Sequence, residues 1–404
     1  MNVHVPWPAA DSRLEVWTWR LLLGTVFGTA FSIALGQTLG FPCLILFVAA
    51  AASRRVRWVI PPVFWPAFIF SLIALLSVHL GPEPTGALKK TGRLVWFLLI
   101  PITASLARTP ARRMALLRAL AGGAGLLAVK IILWNPWKAW QAFQADGGLG
   151  LTLFERVVDK GSMTAGQVLM MGVLVAAALL GHAVRCRAPQ GRWWTLLVVS
   201  VAGLLLNFKR GSWLVTLLLG AAGLIAKRRW VWLALLVTGV GLGLCCHPLR
   251  YRMEQLSRES DIQGGGRLTM WVKIAPALVR QYPLGVGYRS VTPAMLRRVA
   301  PYVERHRNHL HSNIAQVLVE TGWAGLLVYL MWMIQAVLEA TRRNRAAAPG
   351  STASCVALAL TWMLAGLLLN GLVEYNFGDT ELMILLAVIL GAQGARPAPE
   401  AEAA

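Results

Sequence analysis

The sequence predicts an all-α polytopic membrane protein, with about twelve transmembrane helices in a single membrane domain covering residues 1–404. Hydrophobic residues make up 57% of the chain and charged residues only 14%, whereas about a quarter of the residues in a soluble domain are charged. So few polar residues cannot cover a water-soluble fold of this length. Twelve apolar runs also approach the length that crosses a bilayer core, for which about 20 helical residues suffice.

The predicted spans follow one another along the whole chain. The N-terminal segment lacks the basic start and cleavage site of a signal peptide, so we expect the first span to be retained. The seventh and eighth spans are separated only by the short polar turn from Asn207 to Ser212. The spans lie near residues 18–36, 38–52, 58–80, 93–107, 114–133, 163–183, 193–207, 212–226, 229–247, 309–337, 353–373 and 380–394.

Lysine and arginine in the short loops predict the orientation, because loops rich in these residues resist translocation. All five basic clusters follow even-numbered spans, which places both chain termini in the cytoplasm. Two large outer loops result, 134–162 and 248–308, and the second precedes the span 309–337. The clusters are Arg54, Arg55 and Arg57; Arg108, Arg112 and Arg113; Arg185 and Arg187; Lys227, Arg228 and Arg229; and Arg342, Arg343 and Arg345.

The net charge of +22, from 39 Lys and Arg against 17 Asp and Glu, requires anionic partners. Nucleic acid is disfavoured, because the basic residues lie in short clusters between apolar runs. Membrane lipid headgroups and phosphates remain as the expected anionic partners. The outer loop 248–308 concentrates this charge, with eleven basic residues against four acidic ones: Arg250, Arg252, Arg258, Arg267, Lys273, Arg280, Arg289, Arg297, Arg298, Arg305 and Arg307 against Glu254, Glu259, Asp261 and Glu304.

The outer arginines have two possible partners. Attraction to lipid headgroups accounts for a typical arginine, whereas two or three can hold a diphosphate, whose oxygens match a guanidinium fork. Arg267 is the best candidate in the loop, because it follows three glycines that allow close backbone approach. Arg289 follows the turn YPLGVGY, which we interpret as a turn rather than a binding loop. Arg210, in the turn NFKRGS, either binds the same ligand or snorkels to the membrane boundary.

Three histidines, His306, His309 and His311, stand at the start of the span 309–337. No Asp or Glu follows any of them at helical spacing and no HExxH motif is present, so we expect no bound metal and no other cofactor. The five cysteines have no CxxC spacing, which argues against a zinc site or a disulfide framework. A histidine at the water boundary can act as a general base, because its ordinary pKa lies near neutrality.

The last outer loop, LVEYNFGDTE, carries three acidic residues, Glu374, Asp379 and Glu381. Helix capping is their expected role, and lining an acceptor site is the alternative. The two-carboxylate arrangement of glycosidases is not evident.

The histidine segment resembles the O-antigen ligase and polymerase superfamily of bacterial envelope glycan enzymes. The signature of that superfamily is His, then Asn, Ser or Gln, nine residues, Gly, two residues, and Gly, Thr or Tyr. Further similarity lies in RGSWL at Arg210, GGRLTMW at Arg267 and PLGVGY, in the usual order of the family, over about residues 200–330. The signature positions are filled by His311, Ser312, Asn313 to Thr321, Gly322, Trp323, Ala324 and Gly325.

The resemblance implies a fold similar to the multi-helix lipid-dependent glycosyltransferases, in the bacterial inner membrane with the active site facing the periplasm. It implies metal-independent, inverting transfer of O-antigen from undecaprenyl diphosphate to a sugar hydroxyl of lipid A-core. By the same resemblance His311 takes the acceptor proton, and Arg210 and Arg267 bind the diphosphate, with Arg289 in second rank. The chemistry agrees, since preorganised guanidinium groups stabilise the charge that develops on a diphosphate leaving group.

Two other functions remain open, and a third is set aside. An O-antigen polymerase shares the signature, but the Arg, ten residues, Gly pattern frequent in polymerases does not occur at any Arg between residues 250 and 298. A protein oligosaccharyltransferase is disfavoured by the short segment after the last span. An anionic-lipid transporter or flippase would more often carry mid-span charges and internal repeats, and neither is clear here.

Overall fold

The computed structural model describes residues 13–82, 89–145, 153, 156–157, 161–245 and 265–395, and within them it contains helices and turns but no strand. The predicted termini and the charged residues Arg250, Arg252, Arg258, Glu254, Glu259 and Asp261 lie outside the described residues. The helices are α1 Arg13–Phe31, α2 Ile33–Ala52, α3 Phe64–Leu80, α4 Leu99–Leu106, α5 Pro110–Ala145, α6 Met163–Arg185, α7 Gly191–Leu206, α8 Arg210–Ala226, α9 Trp230–Cys245, α10 Ala275–Gln281, α11 Pro293–Val299, α12 Asn313–Ala346, α13 Thr352–Val373 and α14 Thr380–Gly394.

Each predicted span coincides with one helix, the fourth as a 3-10 turn, Gly92–Leu98, that continues into α4. Five helices of the described chain, α2, α5, α6, α12 and α13, are long and apolar enough to cross a membrane. Large apolar side chains also face outward, among them Ile45, Leu133 and Val198. Such a surface suits contact with lipid rather than water. The chain is therefore an all-α membrane protein.

Several predicted boundaries differ from the structure: the first span ends at Phe31 instead of 36, and the third begins at Phe64 instead of 58. Helix α5 continues past the predicted end at residue 133 to Ala145, so the first part of the predicted outer loop 134–162 is helical. This extension carries Trp134, Trp137 and Lys138, side chains typical of a membrane interface, and the lysine stands over both indole rings. The tenth span begins at Asn313 instead of 309, because Ser312 caps the helix there.

An aromatic cluster fixes the loop between α13 and α14 against the core. The ring of Phe377, in this loop, lies 5.2 Å from that of Phe70 on α3, 4.9 Å from Tyr329 and 5.8 Å from Trp332, both on α12. All four side chains are buried. Such packing restrains the loop residues Glu374 to Asp379 on the side where α12 begins.

The second half of the outer loop 248–308 forms a small cap with its own hydrophobic core. Its helical part starts as the turn Arg267–Thr269, widens to a π-helical turn, Met270–Ile274, and continues as α10 and α11. Met270, Ile274, Leu296 and Leu310 form the centre of this core and are fully buried. Residues 265–308 therefore contain short helices joined by turns.

Candidate active site

His311 is held in an unusual conformation by the start of α12. Its φ of 50° lies in the left-handed region, which costs a residue other than glycine about 1–3 kcal/mol. The next residue, Ser312, begins the helix by accepting a hydrogen bond from the Ala315 amide. The signature pair His-Ser is therefore a buried histidine followed by a helix cap, and the cap fixes where the imidazole lies.

Two charged residues fix the tautomer of His311. Arg307 Nη1 lies 2.8 Å from Nε2, and Nδ1 lies 3.2 Å from Glu374 Oε2. A guanidinium only donates, so Nε2 must accept, and Nδ1–H must donate to the carboxylate. A proton acceptor is thus available at Nε2, although a substrate hydroxyl can reach it only after Arg307 moves.

Glu374 joins the histidine to an arginine of the cap. It follows α13, is buried, and accepts from His311 with one oxygen and from Arg267 Nη2 with the other. Burial raises the pKa of Glu374, but the hydrogen bond from His311 and the charge of Arg267 outweigh it, so the pKa lies below its ordinary value. The carboxylate is therefore ionised at neutral pH and orients the imidazole.

The first residue of α12 positions the loop that carries Glu374. Asn313 Oδ1 accepts from the backbone amides of Asn376 and Phe377 at 3.0 and 3.1 Å. Its amide group also donates to the Asn376 side chain at 2.6 Å. Asn313, two residues after the signature histidine, therefore holds the loop that carries Glu374 in place.

Arg210 is the first residue of α8. A side chain added at its neighbour Gly211 would lie 3.6 Å from Cγ of Glu374 and 3.2 Å from the amide nitrogen of Asn370. The start of α8 therefore lies directly beside Glu374. Of the four predicted site residues, Arg267 and His311 therefore contact one carboxylate, and the backbone at Arg210 lies next to it.

Arg289 occupies a different position. Its φ is 55°, its guanidinium donates to the Gly378 carbonyl, and its own carbonyl accepts from Lys90 Nζ at 2.8 Å. It lines a cavity of about 450 Å³ together with His309 and other residues. Neither Glu374 nor His311 is among its hydrogen-bond partners in the described chain.

The two glycine motifs of the resemblance contact each other. Gly322 interrupts α12 with a φ of 66°, and a side chain there would meet the Pro283 carbonyl at 2.5 Å. The turn at residues 283–287 binds the break, since Val286 donates to the Val319 carbonyl and Gly287 to that of Glu320. The prediction that YPLGVGY is a turn is confirmed, and the turn supports the beginning of α12.

The main feature that sequence reasoning missed is Glu374, for which helix capping was the expected role. It follows the last residue of α13, yet its carboxylate binds His311 and Arg267. Arg307 was indistinguishable from the other arginines of the loop. One signal was available for Glu374: it lies in an outer loop with three acidic residues, in a chain that has only 17.

The comparisons agree with the resemblance. Residues 195–330 match the family described as O-antigen ligase, a stretch of roughly a third of the chain that contains all four predicted site residues. No curated protein matches the chain. The match runs from α7 through the cap into α12, so it includes the histidine and the arginines that the fold assembles. Residues 195–330 of this chain are therefore similar to the O-antigen ligase family.

Proposed function

We propose that the chain is an O-antigen ligase, which transfers a glycan from undecaprenyl diphosphate to a sugar hydroxyl of lipid A-core. The family match supports activity of the ligase or polymerase type. The arrangement that carries the proposal is the Glu374 carboxylate, which joins a histidine with a basic Nε2 to an arginine suited to a diphosphate. The twelve helices would all cross the bacterial inner membrane, in a fold like that of other lipid-dependent glycosyltransferases, with the site on the periplasmic face.

In this proposal His311 is the general base. Nε2 takes the proton of the acceptor hydroxyl while its oxygen attacks the anomeric carbon of the donor sugar. The bond from that carbon to the diphosphate oxygen breaks, and its electron pair leaves with the diphosphate, so the anomeric configuration inverts. Glu374 stabilises the imidazolium that forms, as the carboxylate of a catalytic triad does.

The leaving group is held by arginines. Arg267 pairs with Glu374, and Arg210 begins the helix beside it. Their positive charges would stabilise the negative charge that develops on the diphosphate. Guanidinium groups suit this task because they stay charged and bind phosphate oxygens in pairs. No step in this scheme requires a metal ion or other cofactor.

Arg307 links donor binding to the base. In the structure its Nη1 covers Nε2 of His311. An arriving diphosphate offers this guanidinium two or more anionic oxygens, which bind it more strongly than a neutral imidazole. Donor binding would thus free Nε2 for the acceptor hydroxyl.

The test is transfer by the purified protein in detergent, with lipid-linked glycan, lipid A-core and a chelator present. We expect glycosylated lipid A-core and free undecaprenyl diphosphate without ATP. Product in which one lipid-linked repeat extends another would instead identify a polymerase. Movement of the intact donor across vesicles without cleavage would identify a transporter.

A further inference from the structure

The cavity of about 450 Å³ beside His311 is separate from the arginines around Glu374. Its volume falls within the range of small-molecule sites, roughly 300–1,000 Å³. His309 forms part of its wall, with its ring centre 4.2 Å from that of His311, and Tyr375, next in sequence to Glu374, forms another part. A ligand that contacts His309 in the cavity therefore lies close to His311, the proposed base.

The basic and acidic side chains of the cavity are equal in number, unlike those at Glu374. Lys90 and Arg289 face the carboxyl groups of Asp379 and Glu320. Just outside the lining, Arg93 and Glu381 interact with these groups and again contribute one charge of each sign. Around Glu374, by contrast, three arginines face two carboxylates: Arg267 pairs with Glu374, Arg307 contacts His311 and pairs with Glu304, and Arg210 begins the adjacent α8.

This difference in charge predicts a different kind of ligand for each of the two places. A diphosphate loses its hydration only where net positive charge replaces the water, which describes the Glu374 side. A cavity with equal numbers of basic and acidic side chains offers a diphosphate no net positive charge. It suits an uncharged polar ligand.

The cavity offers groups that bind sugar hydroxyls. Glu320 is buried and already occupied by Gln316, at 2.6 Å, and by the Tyr375 hydroxyl, at 3.4 Å. Asp379 Oδ2 accepts from the Thr164 hydroxyl at 2.8 Å, and within the described part of the chain Oδ1 makes no hydrogen bond. A carboxyl oxygen without such a partner can accept a hydrogen bond from a sugar hydroxyl.

Two rings complete the wall. Burial lowers the pKa of His309 to about 4, so its imidazole is neutral at pH 7. His309 and Tyr375, with ring centres 6.2 Å apart, therefore present flat faces that carry no net charge. Such faces pack against the apolar side of a sugar ring.

We propose that this cavity binds the acceptor, with an uncharged sugar ring held by Asp379 and Arg289 so that one hydroxyl reaches His311. The proposal rests on the proposed function. It assigns Arg289 to the acceptor side instead of the diphosphate, with its bond to the Gly378 carbonyl fixing the loop that bears Asp379.

The test measures acceptor and donor separately. For Asp379→Asn we expect the KM for lipid A-core to rise about tenfold or more, because a hydrogen bond to a charged acceptor is lost, while the KM for the lipid-linked donor stays within twofold. Asn keeps an oxygen for the Thr164 hydroxyl, so folding is preserved. Met163→Trp, which fills the cavity from the first turn of α6, should have the same selective effect.

Binding without turnover gives an independent readout. In the His311→Ala background, thermophoresis with purified lipid A-core should show at least tenfold weaker binding when Asp379→Asn or Arg289→Lys is added. The matched controls, Arg280→Lys and Val272→Trp, alter exposed cap residues away from the cavity. They should leave both the KM and the binding affinity for lipid A-core unchanged.

Two failures are distinguishable. If the wild type forms no product, the proposed function is wrong and the acceptor assignment with it. If the wild type transfers glycan but Asp379→Asn leaves the acceptor constants unchanged, or shifts the donor KM instead, the cavity does not hold the acceptor.

Discussion

Replacing His311 by alanine is expected to lower kcat for glycan transfer by about 10²–10⁴, the usual contribution of a positioned general base. The acceptor hydroxyl then loses the group that takes its proton, and Glu374 loses the imidazole that it orients. Binding of a fluorescent lipid-linked donor should remain within threefold of wild type, because Arg267 and Arg210 are intact.

The matched control is His306→Ala. His306 belongs to the same histidine cluster but is exposed, so its loss should leave kcat within twofold. A His311→Ala variant that still forms product at the wild-type rate would eliminate His311 as the base.

The second large effect is expected for Arg267→Ala, with kcat/KM for the donor reduced about 10²–10³-fold. The arginine is proposed to bind the leaving diphosphate, and it also pairs with Glu374. Arg267→Lys should recover only part of the loss, because an ammonium group cannot reproduce the bidentate geometry. Arg280→Ala, on the exposed face of the same cap, is the control and should retain full turnover.

The same variant should change the pH dependence in a defined direction. Burial raises the pKa of Glu374, and the His311 hydrogen bond and the Arg267 charge bring it below its ordinary value. Without Arg267 the effect of burial gains weight and the pKa rises. Glu374 then takes up a proton at a higher pH, so the acidic limb of the kcat profile should move to higher pH than in the wild type. An acidic limb that does not move would contradict the role assigned to the Arg267–Glu374 pair.

The fold was largely predictable because its signals are local. Apolar runs, basic loop clusters and the break near Asn207 each depend on a few consecutive residues, and each predicted run coincides with a helix. The length of α5 was missed, because the residues after 133 are amphipathic and interfacial, so hydropathy falls while the helix continues.

The site was only half predictable, for a physical reason. His311 and Arg267 stand in motifs, whereas their partner Glu374 lies 63 and 107 positions away and meets them only through the packing of Phe377 and the hydrogen bonds of Asn313. Local sequence ranks Arg289 behind Arg267 but cannot assign the two arginines to different ligands. The balance of acidic and basic side chains around each arginine, on which that assignment depends, is a property of the folded chain.

The central claim, that transfer takes place on the extracytoplasmic face, is tested most directly by cysteine labelling in intact cells. Tyr302 is an exposed cap residue, and Tyr302→Cys is combined with serine at Cys245 and Cys246. Native Cys186, exposed in a loop predicted to be cytoplasmic, is the internal control. We predict that a membrane-impermeant maleimide labels residue 302 in intact cells and reaches Cys186 only after lysis. Labelling of Cys186 but not of residue 302 in intact cells would place the site in the cytoplasm and contradict the account.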